Sequence, residues 1–229
     1  MDRKQPLAPR PMARLNSAIE AMQGCRMGIR GIHLVVALAA WATLGTQIYL
    51  TLNDADFSGA LAALVNLFSF FTILTNTLAA VVLSAVALAP SGRIAQNAPL
   101  RAAVALYIGF VAVVYHILLA PLFSPTGLNW LLDQMLHTAL PALYIGLWMG
   151  FAPKAGLRFG HALYWLIYPL AYCAYALLRG AATGLYPYFF LDPTAAGYGP
   201  VVQMVGLLVA AFLLVGLAQI ALCRAVARG

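Results

Sequence analysis

Residues 101–123, RAAVALYIGFVAVVYHILLAPLF, carry one formal charge, Arg101, and it stands at the head of the run. A helix rising about 1.5 Å per residue needs about 20 residues to cross the roughly 30 Å hydrocarbon core of a bilayer, and this stretch is that long. It ends at Ser124-Pro125-Thr126-Gly127, a cluster of turn formers. Outward from it, five further runs have the same character. They cover about 30–51, stopping at Asn53-Asp54, and about 60–89, stopping at Pro90-Ser91-Gly92. Beyond the quoted stretch lie 129–151 with an internal Pro141, 160–182 with Pro169, and 199–222 ending at Cys223-Arg224. Membrane helices tolerate internal prolines as kinks. The sequence therefore predicts an all-α integral membrane bundle of six transmembrane helices over residues 28–229. A basic tail over 1–27 precedes it, either a short amphipathic helix on the membrane surface or a helical lead into the first span.

Composition agrees with that reading. The chain has 229 residues, of which 63% are hydrophobic and 8% charged. A soluble domain carries about 25% charged residues, so this chain is not built to face water. Six spans and their loops use nearly the whole length. The net charge of +7 does not indicate nucleic-acid binding, because the cations sit at the ends of apolar runs and form no basic, aromatic-rich surface. Such cations meet anionic lipid headgroups. Cys25, Cys173 and Cys223 are odd in number and free of any CxxC or His/Cys cluster, so they read as free thiols. The polar, basic lead before Gly28 is unlike a cleavable signal peptide.

Orientation follows from Lys and Arg. Arg3, Lys4, Arg10, Arg14, Arg26 and Arg30 precede the first span, Arg93 and Arg101 bracket the second loop, Lys154 and Arg158 the fourth, and Arg224 and Arg228 the tail. With six spans all of these fall on one side, while Asp54, Asp56, Asp192 and Arg179 fall on the other. The positive-inside rule then places both termini in the cytoplasm.

Ionisable groups inside a bilayer are costly and need a reason. Asp133 and His137 lie one turn apart on one helix face. His116 falls at a similar depth, roughly 12 Å from the outer end of its span. Asn66, Ser69, Thr72 and Asn76 follow helical spacing as one stripe, with Thr72 about 15–18 Å deep. Tyr115, Tyr175, Arg179, Tyr186 and Tyr188 also belong to the outer half, whereas the inner half is nearly featureless and His33 and His161 read as interfacial. The expectation is a polar cavity in the outer leaflet walled by spans two to five. Each member also has a plain role. Membrane Ser and Thr return their hydroxyls to the preceding turn, and a buried His often joins helices by hydrogen bonds. Outer tyrosines form an interfacial belt, and Arg179 either snorkels or holds the anionic end of a ligand.

Three segments, LFSFFTILTN at 67–76, LDQMLHTALP at 132–141 and LYPYFFLD at 185–192, resemble the androgen-induced and androgen-dependent multispan membrane proteins of animals and the related bacterial six-helix proteins. The resemblance covers about residues 30–215. Animal members are threonine hydrolases that cleave fatty acid esters of hydroxy fatty acids. The resemblance implies Thr72 as nucleophile, although Thr75 and Thr77 stand close by, and His137, in His137-Thr138-Ala139-Leu140-Pro141, as base. Tyr186-Pro187-Tyr188-Phe189 matches a third element. It further implies a lipid ester substrate, no cofactor or metal, and a bacterial inner-membrane location.

In such chemistry a base must first take the hydroxyl proton of threonine. His137 would do so and then protonate the leaving alcohol. Asp133 would fix the imidazole tautomer, with Asn76 or the Tyr115–His116 pair as oxyanion donors and Ser69, Arg179 and Tyr186 lining the site. Two other classes fit the same cavity. One is a metal-dependent lipid hydrolase with His116, Asp133 and His137 as ligands. The other is a transporter or sensor for a lipid or small amphiphile, against which stands the absence of an internal repeat.

Overall fold

A computed structural model describes residues 11–55 and 57–227, with side chains from residue 24 onward except 25, 26 and 56. The tail of residues 1–10 lies outside the described residues, as do the side chains that would give the lead an amphipathic face. Among the described residues the chain is helical, without strands. The helices are α1 (Pro11–Leu52), α2 (Ala60–Leu67), α3 (Phe71–Leu88), α4 (Arg93–Gln96), α5 (Ala98–Val114), α6 (Gly127–Gln134), α7 (Leu140–Phe151), α8 (His161–Trp165), α9 (Ile167–Thr183) and α10 (Tyr198–Val226). The backbone of the lead enters the first span without a break, because α1 runs through both.

Five helices among the described residues are long and apolar enough to cross a membrane: Met27–Leu52, Phe71–Leu88, Ala98–Leu122, His161–Thr183 and Tyr198–Val226. The remaining run, Gly127–Phe151, is helical throughout but carries Asp133, Gln134, His137 and Thr138 in its first half. The chain is thus a helical membrane bundle with one polar member.

α3 is its centre. It packs along α1 and α5 and touches α7 and the turn before it. Ala79, Ala80, Ala102, Ala103 and Ala105 are all buried there, and such small side chains let helix backbones approach closely where lipid provides no hydrophobic drive between helices. By contrast, α10 is peripheral, with 17% of its span buried against 56% for α3. Its Val202, Leu207, Leu214 and Leu222 point outward, as lipid-facing side chains do.

Contacts join several cations at one end of the bundle. Arg30 Nε donates to the Ala87 carbonyl (3.0 Å), Arg101 Nη1 to Ala95 (3.3 Å), Lys154 Nζ to Trp148 (2.7 Å), and Arg224 lies over the Phe159 ring.

The second apolar run departs from the sequence expectation. Instead of one helix over 60–89, it breaks at 68–70 into α2 and α3, with Phe70 extended at φ −89° and ψ 129°. The stripe of Asn66, Ser69, Thr72 and Asn76 is therefore divided between two helices. The break has identifiable causes. The Ser69 hydroxyl bonds back to the Val65 carbonyl, four residues earlier, and the Ser69 and Phe70 amides make only tight bonds to Asn66 and Leu67. The freed groups find partners on α9: Tyr172 donates to the Ser69 carbonyl (2.9 Å), and Tyr175 pairs with the Ser69 hydroxyl (2.8 Å). Irregular backbone at membrane depth survives only where protein satisfies it in this way.

Tyr172→Phe leaves the buried Ser69 carbonyl without its donor. The expected cost is about 1–3 kcal/mol, read as a lower thermal midpoint in detergent, whereas Tyr164→Phe at an exposed position leaves the midpoint unchanged.

Candidate functional site

The helix break puts an N-terminus inside the bundle, with Thr72 as the second residue of α3. The first amides of a helix have no intrahelical acceptor and carry the positive end of its dipole. Here the Tyr188 hydroxyl stands close to the Thr72 hydroxyl and to the backbone of Phe71 and Thr72. Burial holds the Tyr188 phenol above its ordinary pKa, so it is a neutral hydroxyl. The neighbouring threonines are otherwise engaged. Thr75 Oγ1 pairs with Tyr168 (3.2 Å), and Thr77 bonds back to the Ile73 carbonyl (2.7 Å).

The histidines sit on two π-helical turns, Tyr115–Leu119 and Met135–Ala139. Such one-turn widenings of a helix recur at functional sites. His137 Nδ1 lies 3.0 Å from the Asp133 carbonyl and 3.1 Å from its carboxylate Oδ1. Both partners are acceptors, so Nδ1 carries the proton and Nε2 of the neutral ring carries the lone pair. The Tyr115 hydroxyl donates to Asp133 Oδ2 (2.6 Å), and its ring stacks on His137 at 3.7 Å between centroids and 9° between planes. Tyr115 thus clamps both members of the Asp133–His137 pair. His116 Nε2 meets Thr138 Oγ1 at 3.0 Å, and Thr138 in turn donates to Gln134 Oε1 (3.2 Å). His116 is exposed and bonded to Thr138, so it stands beside the pair without entering it.

A cavity runs from Thr72 to Tyr115, while Asp133, His137 and His116 are not among its lining residues. Thr72 and Tyr115 both line it, together with Phe71, Tyr172, Cys173 and Tyr188, and its far wall is made of Leu, Val and Phe side chains from α5, α9 and α10. It holds about 750 Å³ of empty space, open mouth included. Its surface is almost wholly apolar, with Thr72, Tyr115, Tyr172 and Tyr188 as its hydroxyl-bearing members, a layout suited to a fatty chain with one polar function. Among the described residues no direct hydrogen bond joins Thr72 to His137. Asn76 holds their backbones in register, donating to the Thr72 carbonyl (2.9 Å) and to the Leu136 carbonyl (3.2 Å), the residue before His137.

No family model, curated protein or solved structure matches this chain.

The structure reassigns several residues picked out from the sequence. Asn76 has both amide hydrogens committed to carbonyls, and Tyr115 and His116 are bonded to Asp133 and Thr138, so none of the three offers a spare donor to an oxyanion. The backbone amides at the start of α3 do, and only the unforeseen helix break creates them. Ser69 belongs to that break. Arg179 ties α9 to α2 and the following loop through Asn66 Oδ1 (3.2 Å) and the Leu185 carbonyl (2.6 Å). Tyr186 packs over Gly180, where any Cβ would collide with its ring. These last two build the loop that carries Tyr188. Among the described residues no three His, Cys, Asp or Glu side chains converge closely enough to hold a metal ion, and Cys173 and Cys223 are free thiols. His33, near the start of its span, is 1% exposed and enclosed by neighbouring helices.

Tyr115→Phe keeps the ring stack and deletes the donor to Asp133. A hydrogen bond to a charged group contributes about 1.5–3 kcal/mol, so the thermal midpoint of the purified protein should fall while its helical circular dichroism is unchanged.

Proposed function

We propose that the protein is a six-span enzyme of the cytoplasmic membrane, both termini cytoplasmic, that hydrolyses lipid esters with Thr72 as nucleophile and His137 as base. The observation that carries the reading is the helix break, which joins a threonine hydroxyl and unpaired backbone donors at the wall of an apolar cavity. The resemblance of LFSFFTILTN, LDQMLHTALP and LYPYFFLD to the androgen-induced multispan threonine hydrolases points to the same two residues. It favours esters of fatty acids with hydroxy fatty acids as the substrate class.

Gly127–Phe151 serves as the fourth span. Its polar first half holds Asp133 and His137 against Tyr115, which lines the cavity, and its length of helix matches a bilayer. With it counted, the basic residues gathered by Arg30, Arg101, Lys154 and Arg224 fall on the cytoplasmic side.

In this mechanism the ester carbonyl displaces the Tyr188 hydroxyl from the start of α3. His137 Nε2 takes the Thr72 proton, directly or through one water, and Thr72 Oγ attacks the carbonyl carbon. The backbone N–H groups of Phe71 and Thr72 receive the oxyanion, at the positive end of the helix dipole. His137 then protonates the departing alkoxide, and water repeats the sequence on the acyl-threonine. Asp133 holds the imidazole tautomer and stabilises the imidazolium throughout. The chain's own residues supply every proton transfer.

Hydrolysis of a long-chain fatty acid ester of a hydroxy fatty acid by the protein in lipid nanodiscs tests this. Thr72→Ala and His137→Ala should each lower kcat by about 10²-fold or more, and Asp133→Asn by about 10²–10⁴-fold. Full turnover by Thr72→Ala contradicts the proposal. Tight binding of the ester without turnover by wild type would make the chain a lipid-binding protein instead.

A further inference from the structure

A second buried polar group lies far from this cavity, at the end of the bundle that carries the cations. His33, Arg101, Tyr144 and Trp148 line a small pocket with Val and Leu side chains of α3. It contains about 190 Å³ of empty space, mouth included, with room inside for about one particle of water's size. All four of these residues are more than nine-tenths buried: His33 is 1% exposed, Tyr144 3%, Arg101 6% and Trp148 7%. His33 Nε2 and Trp148 Nε1 have no hydrogen-bond partner. A buried polar atom left bare costs free energy, and natural proteins rarely leave one so.

Charge decides what fills the pocket. No carboxylate among the described residues pairs with Arg101; its Nη1 donates to the Ala95 carbonyl at 3.3 Å, and the Tyr144 hydroxyl donates to its own carbonyl at 3.4 Å. Lys154, close enough to feel the Arg101 charge, is another cation. A guanidinium taken out of water demands a counter-charge, which a water molecule does not provide. Trp148 Nε1–H is a donor only. His33 Nδ1 lies 2.8 Å from the Ile29 carbonyl, an acceptor, so Nδ1 carries a proton and Nε2 becomes a donor only on taking a second.

We propose that this pocket binds one small monatomic anion of the chloride class together with one proton. The anion accepts from Arg101 and Trp148 Nε1–H, and the proton from solvent resides on His33 Nε2, completing a three-donor cradle. The groups facing His33 support a coupled event. Arg101 comes from α5 and Tyr144 and Trp148 from α7; the Phe151 ring lies 6.1 Å away, and α3 contributes no titrating side chain. With Arg101 alongside, the protonated imidazole is stable only when the anion is present, so each raises the affinity of the other by linkage.

The test is equilibrium dialysis of radiolabelled chloride against the full-length protein in neutral-lipid nanodiscs, at about pH 5.5 and about pH 8, on either side of the histidine range. Wild type should bind one chloride, with affinity falling up to about tenfold per pH unit on the alkaline side, as one co-bound proton requires. Trp148→Phe keeps the ring and deletes the N–H, and should weaken binding by about tenfold, the scale of one lost donor. His33→Gln substitutes a permanent amide donor and should bind chloride without pH dependence. Arg101→Leu should abolish binding; if it does not fold, Trp148→Phe and His33→Gln decide. No bound chloride in wild type overturns the site and leaves a water as its occupant. Binding unaffected by Trp148→Phe, or independent of pH in wild type, overturns the assignment to this pocket or the coupling to His33.

Discussion

Every backbone N–H and C=O within a bilayer must find a partner in the protein, and the turn at 68–70 is where this chain meets that constraint by other than helical means. An uninterrupted helix would satisfy its own groups and offer none to a ligand. Breaking it frees the Ser69 carbonyl and the first amides of α3; Tyr172 of α9 takes up the carbonyl, Tyr175 pairs with the Ser69 hydroxyl, and Tyr188 from the loop before α10 stands close to the start of α3. The phenols stabilise the break, and the break orients Thr72. Arg179 and Tyr186 fix the loop that brings Tyr188 over. Much of the polar content in this half of the molecule therefore serves one local backbone geometry.

The Asp133–His137 pair meets the same constraint differently. An acid within a membrane helix is costly, and here it is spread over three contacts, from His137, Tyr115 and Gln134. The two π-helical turns lie at the same positions as the histidines, so the local widening of each helix and the placement of its imidazole are one feature. Asn76 then sets the α3 break and the Met135–Ala139 turn at a fixed distance through two carbonyls. Its Oδ1 is buried without a partner, which marks this junction as tightly closed around the amide hydrogens.

The helical class, the apolar runs and the pairing of Asp133 with His137 were legible because they depend on hydropathy and on one helical turn, both local properties. The break at 68–70 was not. Leu67-Phe68-Ser69-Phe70-Phe71 contains neither Gly nor Pro, and the interactions that hold it come from residues more than a hundred positions away. Ser69 bonding back to Val65 was the only local hint, and serine does this in many unbroken helices. The partners of Asn76 and Tyr115 were hidden for a related reason, since counting donors requires knowing which acceptors already hold them. His33 lies near the start of its span, and the sequence did not show that α3, α5 and α7 close over it. Depth along a helix is visible in sequence; which neighbours cover a face is not.

The central claim is that the helix break activates Thr72, and the site of a covalent adduct tests it most directly. Purified protein in nanodiscs, treated with a long-chain fluorophosphonate and digested for peptide mass spectrometry, should carry the phosphonyl group on Thr72 of the LFSFFTILTN segment, with His137→Ala leaving it unmodified. An adduct on Ser69 or Tyr188, or a wild-type protein that stays unmodified while a soluble serine hydrolase in the same tube reacts, would contradict the account.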